Sequence, residues 1–188
     1  MTDLTGVIIT LALLAIYPQR PVVAILPVAI ALMYIMSCVY HWLPYHVLRQ
    51  KLDHVTIAVV VAVTYVPYWV TMLPWQDTLP RYSFVGILFA VTVAVKWFRI
   101  SWHKTGGTML LLLALFGSIV SFGEFYRGLP AFGFVCFWLG AILYLAQFAV
   151  YTRKRPDLLS AWLGYRGLQH ALLLLATTLQ TFVAVRYL

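Results

Sequence analysis

The chain has 188 residues, of which 63% are hydrophobic and only 10% are charged, and its formal net charge is +8. Soluble domains carry about 25% charged residues, so this composition excludes a soluble globular fold and predicts an integral membrane protein. The thirteen Lys and Arg residues stand singly between apolar runs rather than in a basic tail, which excludes a nucleic-acid-binding protein.

Turn residues and charges divide the chain into seven apolar segments. In chain order, they are Leu4–Tyr17, Val22–Leu43, Asp53–Leu73, Tyr82–Trp97, Thr108–Phe122, Ala131–Tyr151 and Leu158–Val185. Each is predicted to be a helix, because the runs are continuous and lack the alternation of membrane strands. No linker is long enough to set off a second domain, so residues 1–188 are predicted to form a single all-α bundle of seven transmembrane helices. The first segment is short for a bilayer core; if it does not cross, six spans remain and the N-terminus lies outside.

Loop charges predict how the bundle is oriented. The connections after the second, fourth and sixth segments hold eight basic residues, namely Arg49, Lys51, Lys96, Arg99, Lys104, Arg153, Lys154 and Arg155. The other connections and the C-terminal end hold four, namely Arg20, Arg81, Arg127 and Arg186. Because Lys and Arg favour the cytoplasmic side, seven spans put the N-terminus in the cytoplasm and the C-terminus outside. The predicted location is the cell (inner) membrane, as a multi-pass protein.

Polar residues recur where the apolar segments should be uninterrupted. Ser37 and His41 end the second segment, and Arg166 and His170 lie in the seventh; the members of each pair are four residues apart and share a helix face. Asp53 begins the third segment at a similar predicted depth. Ionisable groups cost about 2.5–3.5 kcal/mol at the bilayer centre on insertion scales, so they normally face the bundle interior. We therefore expect these side chains to converge in the cytoplasmic half of the bundle.

Two interpretations of this convergence are open. His41, His170 and Asp53 would supply two imidazoles and a carboxylate, a set that suits zinc and leaves a fourth position for water. Alternatively, His41 is an interfacial residue that caps the second helix, Asp53 is the N-cap of the third, and His170 is a hydrogen-bonded core residue.

Four stretches resemble the bacterial hemolysin III proteins of the progestin and adipoQ receptor family. They are "SCVYHWLP", "KLDHVTIAVVVAVTYVPYW", "GAILYLAQFAVYTRKRPD" and "GYRGLQHALLLLATTLQTFVAV". The shared pattern is Ser-x-x-x-His at the end of the second helix, Asp at the start of the third and His-x-x-x-His in the seventh. The resemblance implies a seven-helix bundle with a cytoplasmic N-terminus, in which three histidines hold zinc with the Asp and Ser close by. Some eukaryotic members are linked to hydrolysis of ceramide amides.

One position departs from the family pattern. Ser37, His41, Asp53 and His170 match it, but Arg166 stands where the first histidine of the last pair is expected. A guanidinium has no lone pair to offer a metal, and it repels a dication nearby. Arg166 is therefore predicted to pair with Asp53, the one acidic residue expected inside the bundle at that level, and to replace the charge of the metal.

Two functions remain. The first is a hemolysin III-like membrane protein with a degenerate inner-leaflet polar or metal site, which acts on the state of the lipid bilayer rather than as an efficient enzyme. The alternative is a zinc-dependent membrane hydrolase that cleaves a lipid amide. In that case His41 and His170 hold zinc, Asp53 is a ligand or base, and Ser37 forms a hydrogen bond near the reacting group. A light-driven pump of the rhodopsin kind is excluded, because the seventh segment has no lysine.

Overall fold

The computed structural model describes residues 2–16, 21–98, 112, 114, 116–153 and 164–188, except for the side chains of Thr2 and Arg166. Every regular element in these residues is an α-helix. In chain order, the helices are α1 (Thr2–Ile16), α2 (Pro21–Trp42), α3 (Val47–Val63), α4 (Val66–Met72), α5 (Trp75–Phe98), α6 (Phe122–Gly128), α7 (Ala131–Arg153) and α8 (Tyr165–Tyr187).

Five helical stretches in the described ranges are long and apolar enough to cross a bilayer. They are Pro21–Trp42, Val47–Met72, Trp75–Phe98, Ala131–Arg153 and Gly167–Tyr187. They correspond to the second, third, fourth, sixth and seventh predicted segments, so the chain is a multi-pass helical membrane protein. The first predicted segment is the shorter apolar helix Asp3–Ile16. The fifth predicted segment, Thr108–Phe122, lies partly outside the described residues, although residues 116–120 are helical, so the count of seven spans and the orientation remain predictions.

The third predicted segment differs most from the observed helices. α3 begins at Val47, six residues before Asp53, because the ring of His46 caps it by accepting a hydrogen bond from the Leu48 amide. Asp53 therefore lies in the second turn of α3 and is not its N-cap. The segment is also broken before α4, where Pro67 occupies the first turn. Proline lacks an amide proton and disfavours helical backbone at the preceding residue, which explains the break.

α2 lies at the centre of the described helices. It packs against α1, α3, α4 and α8, while α8 also packs against α7 and α1. The buried core around α2 consists mainly of large apolar side chains, among them Val23, Leu26, Ile30, Tyr68, Trp69, Phe125 and Phe137. α1 approaches α2 closely at Gly6, where an added Cβ would lie 2.5 Å from the ring of Tyr34. This packing brings the polar faces of α1, α2 and α8 together.

Candidate metal centre

Three helix ends meet where α1 begins, α2 ends and α8 begins, and we call this the site end of the bundle. Asp3 lies in the first turn of α1, His41 in the last turn of α2 and His170 in the second turn of α8. One ligand atom from each of these side chains lies within 4.8 Å of the other two. Among the described residues, these three form the group of His, Cys, Asp or Glu side chains that could hold a metal ion.

The closest contact in this group joins α1 to α8. The Nδ1 atom of His170 lies 2.8 Å from Oδ1 of Asp3, and both side chains are largely buried, with 18% and 11% exposure. Since an ionised carboxylate only accepts hydrogen bonds, Nδ1 is the donor in this contact. The rings of His170 and His41 meet edge to face, with centroids 5.5 Å apart, whereas the His41 side chain is exposed.

Ser37 lies one turn before His41 on α2 and is 8% exposed. Its hydroxyl is within hydrogen-bonding reach of the Asp3 carboxylate. The structure thus brings three of the sequence-predicted residues, Ser37, His41 and His170, to one place. The fourth neighbour, Asp3, was expected to belong to the chain terminus rather than to the bundle, and sequence reasoning missed it.

A signal for Asp3 was nevertheless present in the sequence. Asp3, Gly6 and Thr10 are spaced by three and four residues and therefore share one face of α1. In the structure Asp3 and Thr10 are 8% and 3% exposed when the whole residue is counted, and Gly6 contacts α2. A face of small and polar residues on an otherwise apolar helix is what packs against neighbouring helices in membranes.

Asp53 lies beside this group but is not a member of it. It is 8% exposed and interacts electrostatically with His170, Asp3 and Lys96. Lys96, near the end of α5, is itself only 5% exposed, although its sequence position suggested a solvent-facing loop charge. The predicted pair of Asp53 with Arg166 involves a side chain outside the described part of the structure.

The donor chemistry of the three residues fits zinc. Two imidazoles and one carboxylate are a common catalytic zinc ligand set, with the fourth position left for water. Tetrahedral bonds of 2.0–2.1 Å place two ligand atoms about 3.4 Å apart. The ligand atoms of the three residues lie within 4.8 Å of one another, so small side-chain movements would bring them to the separation that one ion requires.

Comparison with known proteins gives one family. The family described as haemolysin-III related matches residues 4–181, which is nearly the whole chain. No curated protein sequence matches the chain.

Proposed function

Because this chain belongs to the haemolysin-III-related family, we propose that it is a zinc-binding membrane protein whose metal is held by Asp3, His41 and His170. The observation that supports this is the convergence of three ligand atoms from three helices within 4.8 Å. Asp3 supplies the third protein ligand that Arg166 cannot supply, so the departure from the family pattern does not by itself remove the site. Asp53 and Ser37 lie around the three ligands rather than among them.

The reaction that such a site suits best is hydrolysis of a lipid amide. Zinc with three protein ligands lowers the pKa of a bound water to about 7 and polarises a carbonyl. In the reaction, a water oxygen joins the acyl carbon, the carbon–nitrogen bond breaks, and the amine nitrogen takes up a proton. Asp53 is a buried carboxylate that interacts electrostatically with His170 and Asp3, and we assign to it the transfer of that proton. Ser37 would hydrogen-bond to the substrate carbonyl or to Asp3.

A specific observation also favours a second function, in which the site is degenerate and the protein acts on the state of the membrane without catalysis. The 2.8 Å contact between His170 and Asp3 satisfies both groups without a metal. A buried pair of this kind would hold α1 against α8 as a structural element. Arg166, one turn before His170 in the sequence, would add a positive charge that disfavours a dication.

Metal analysis of the protein purified in lipid nanodiscs separates the two functions. We expect about one equivalent of zinc in the wild type and none in Asp3→Asn or His170→Gln, since each variant removes a ligand. Asp77→Asn is the matched control, because Asp77 is exposed in the first turn of α5 and its removal should leave the zinc content unchanged. A wild-type protein that takes up no zinc on reconstitution would leave only the structural pair.

Catalysis needs a separate measurement on the zinc-loaded protein. We expect cleavage of a ceramide-type amide in vesicles, and we expect Asp53→Asn to keep its zinc while losing the cleavage. Zinc binding without cleavage of any lipid amide would favour the non-catalytic function, with the metal as a structural element.

A further inference from the structure

A layer of buried polar side chains crosses the bundle interior further from the site end. The hydroxyl of Tyr34 on α2 hydrogen-bonds Oγ1 of Thr177 on α8 at 2.7 Å, and that of Tyr68 on α4 donates to the backbone carbonyl of Gln180 at 3.3 Å. Thr177 is seven residues beyond His170, which is about 10 Å along a helix. The polar layer, as we define it, consists of Tyr34, Tyr68, Tyr144, Thr177, Gln180 and Thr181.

Three atoms of the polar layer have no hydrogen-bond partner among the described residues. They are the Tyr144 hydroxyl, Oε1 of Gln180 and Oγ1 of Thr181. Gln180 and Thr181 are 1% and 0% exposed, and the Gln180 amide is held in place because its Nε2 donates to the Phe137 carbonyl at 3.0 Å. Tyr144 lies four residues after Gly140, on the face of α7 that contacts Gln180, which places it beside the same layer.

Thr181 differs from the other buried threonines in the described helices. The others each donate to the carbonyl four residues earlier in the chain, namely Thr10, Thr64, Thr78, Thr92 and Thr177. That carbonyl is within reach of any helical threonine, so a hydroxyl that does not use it is directed to another partner. An unsatisfied hydroxyl in the interior of a membrane protein is costly.

The part of the chain next to Tyr65 is apolar in sequence. Tyr65 donates to the Ala114 carbonyl at 2.6 Å, so Ala114 lies against the helix break that leads into α4. Residues 109–115 read "MLLLLAL" and carry no polar side chain. The described residues thus supply no partner for these three atoms, and buried waters typically make about three hydrogen bonds to polar groups that are otherwise unsatisfied.

We propose that the polar layer binds ordered water between α2, α4, α7 and α8. Tyr144, Gln180 and Thr181 are the groups that hold it, with the Tyr34–Thr177 pair on the side nearer the candidate metal centre. This inference deepens the proposed function, because hydrolysis consumes one water per amide cleaved and the site is embedded among apolar helices. Water binding itself requires neither metal nor activity. Either the proposed function or the proposed water site can therefore be refuted without refuting the other.

Substitution of Thr181 tests the proposal through the direction in which the thermal unfolding midpoint changes. We expect Thr181→Val to lower the thermal unfolding midpoint in nanodiscs by at least as much as Thr10→Val, because the water then loses one of its partners. Thr10→Val is the matched control, since Thr10 is 3% exposed and its lost partner is the known Gly6 carbonyl. A midpoint that is unchanged or raised in Thr181→Val means that the hydroxyl had no partner, and it overturns the proposal.

Radiolytic hydroxyl labelling detects side chains that lie next to bound water, and it can be applied to the wild-type protein. We expect Tyr144 to be labelled several-fold faster than Phe125, which is 0% exposed and has an apolar side chain, and we expect Thr181→Val to slow the labelling of Tyr144. Asp3→Asn should leave both rates unchanged, because the metal ligands lie outside the polar layer. Equal, low labelling of Tyr144 and Phe125 in the wild type would refute bound water.

Discussion

At the scale of single residues, two buried charges of opposite sign lie on α3 and α5. Asp53 and Lys96 are 8% and 5% exposed, and each interacts electrostatically with the other. A charge at this position is costly when it has no partner. We therefore expect Lys96 to offset part of the cost of the Asp53 charge beside the candidate metal centre.

A double-mutant cycle measures this pair. Asp53→Asn and Lys96→Met should each destabilise the protein, because each leaves a buried charge less compensated, and the double variant should lose less than the sum by about 0.5–3 kcal/mol. Reversible unfolding in mixed micelles provides the free energies. Arg153→Met, which removes an exposed cation at the end of α7, is the control and should have little effect.

Additive effects in that cycle would mean that Lys96 is not the partner of Asp53. The same cycle with Arg166→Met then tests the partner predicted from the sequence. Coupling with Arg166 and not with Lys96 would restore the interpretation in which the guanidinium stands in for a metal.

A second ion pair lies away from the candidate metal centre, between α5 and α6. Arg81 donates to Glu124 at 2.7 Å, and the two side chains are 18% and 23% exposed. Burial acts to raise the pKa of the Glu124 carboxyl, but the hydrogen bond from Arg81 and the charges of Arg81 and Arg127 hold this pKa below the ordinary value of 4.5.

The lowered pKa predicts a loss of stability in acid. A group whose pKa is lower in the folded state stabilises the fold above its unfolded pKa, and this contribution is lost as the pH falls below about 4.5. Because the pair is partly exposed, the loss should not exceed about 1 kcal/mol. Thermal unfolding between pH 7 and about pH 3.5 should show a smaller decline for Glu124→Gln than for the wild type, and Asp77→Asn should decline as the wild type does. Identical curves for Glu124→Gln and the wild type would contradict the prediction.

The sequence predicted the residues of the candidate site that repeat on one helix face. Ser37 and His41 are marked by their four-residue spacing inside one apolar run, and His170 is marked by its position inside another. Asp3 was missed because an acidic residue at the edge of a short segment has the same pattern as a polar terminus. Lys96 was missed because a basic residue at a helix end also serves as a topology signal. Only tertiary packing distinguishes a buried charge from an interfacial one.

At the scale of helices, α1 delivers Asp3 to the site by packing closely on α2. Gly6 makes this approach feasible, since a Cβ there would lie 2.5 Å from the ring of Tyr34. Tyr34 is itself fixed by its bond to Thr177, so it has little freedom to move aside. The position of α1 therefore depends on the absence of a Cβ atom at Gly6.

Gly6→Ala should consequently displace α1 and weaken metal binding. We expect the affinity for zinc to fall by about tenfold or more, which is the range for changes that disturb the positioning of a metal ligand. Gly86→Ala on α5 is the matched control, because nothing lies within 4 Å of the added Cβ. Isothermal titration with zinc gives both affinities, and equal affinities in the two variants would show that α1 packing does not position Asp3.

At the scale of the whole molecule, continuous apolar runs predicted the five long helices, because a bilayer demands such runs of any crossing helix. The helix breaks and caps were harder to predict from the sequence. α3 starts at a histidine cap, and Pro67 divides one predicted segment into α3 and α4. These features depend on local hydrogen bonding that hydropathy does not register.

The orientation predicted from loop charges can be tested with single cysteines. In a background with Cys38 and Cys136 replaced by alanine, Ser101→Cys should react with an impermeant maleimide only in inside-out vesicles. Gln76→Cys, in the connection with fewer basic residues, should react only in intact cells. The opposite pattern would reverse the orientation and place the site end of the bundle outside.

The contact between His170 and Asp3 joins residues 167 positions apart. During synthesis the N-terminal part of a chain is made first, so Asp3 is made long before α8. Until α8 docks, this carboxylate lacks its histidine partner, and in an unfinished chain its charge is uncompensated. Completion of the site is therefore a late step of biogenesis. A metal captured there would stabilise only the fully assembled bundle, and zinc uptake would mark the transition from inserted helices to finished protein.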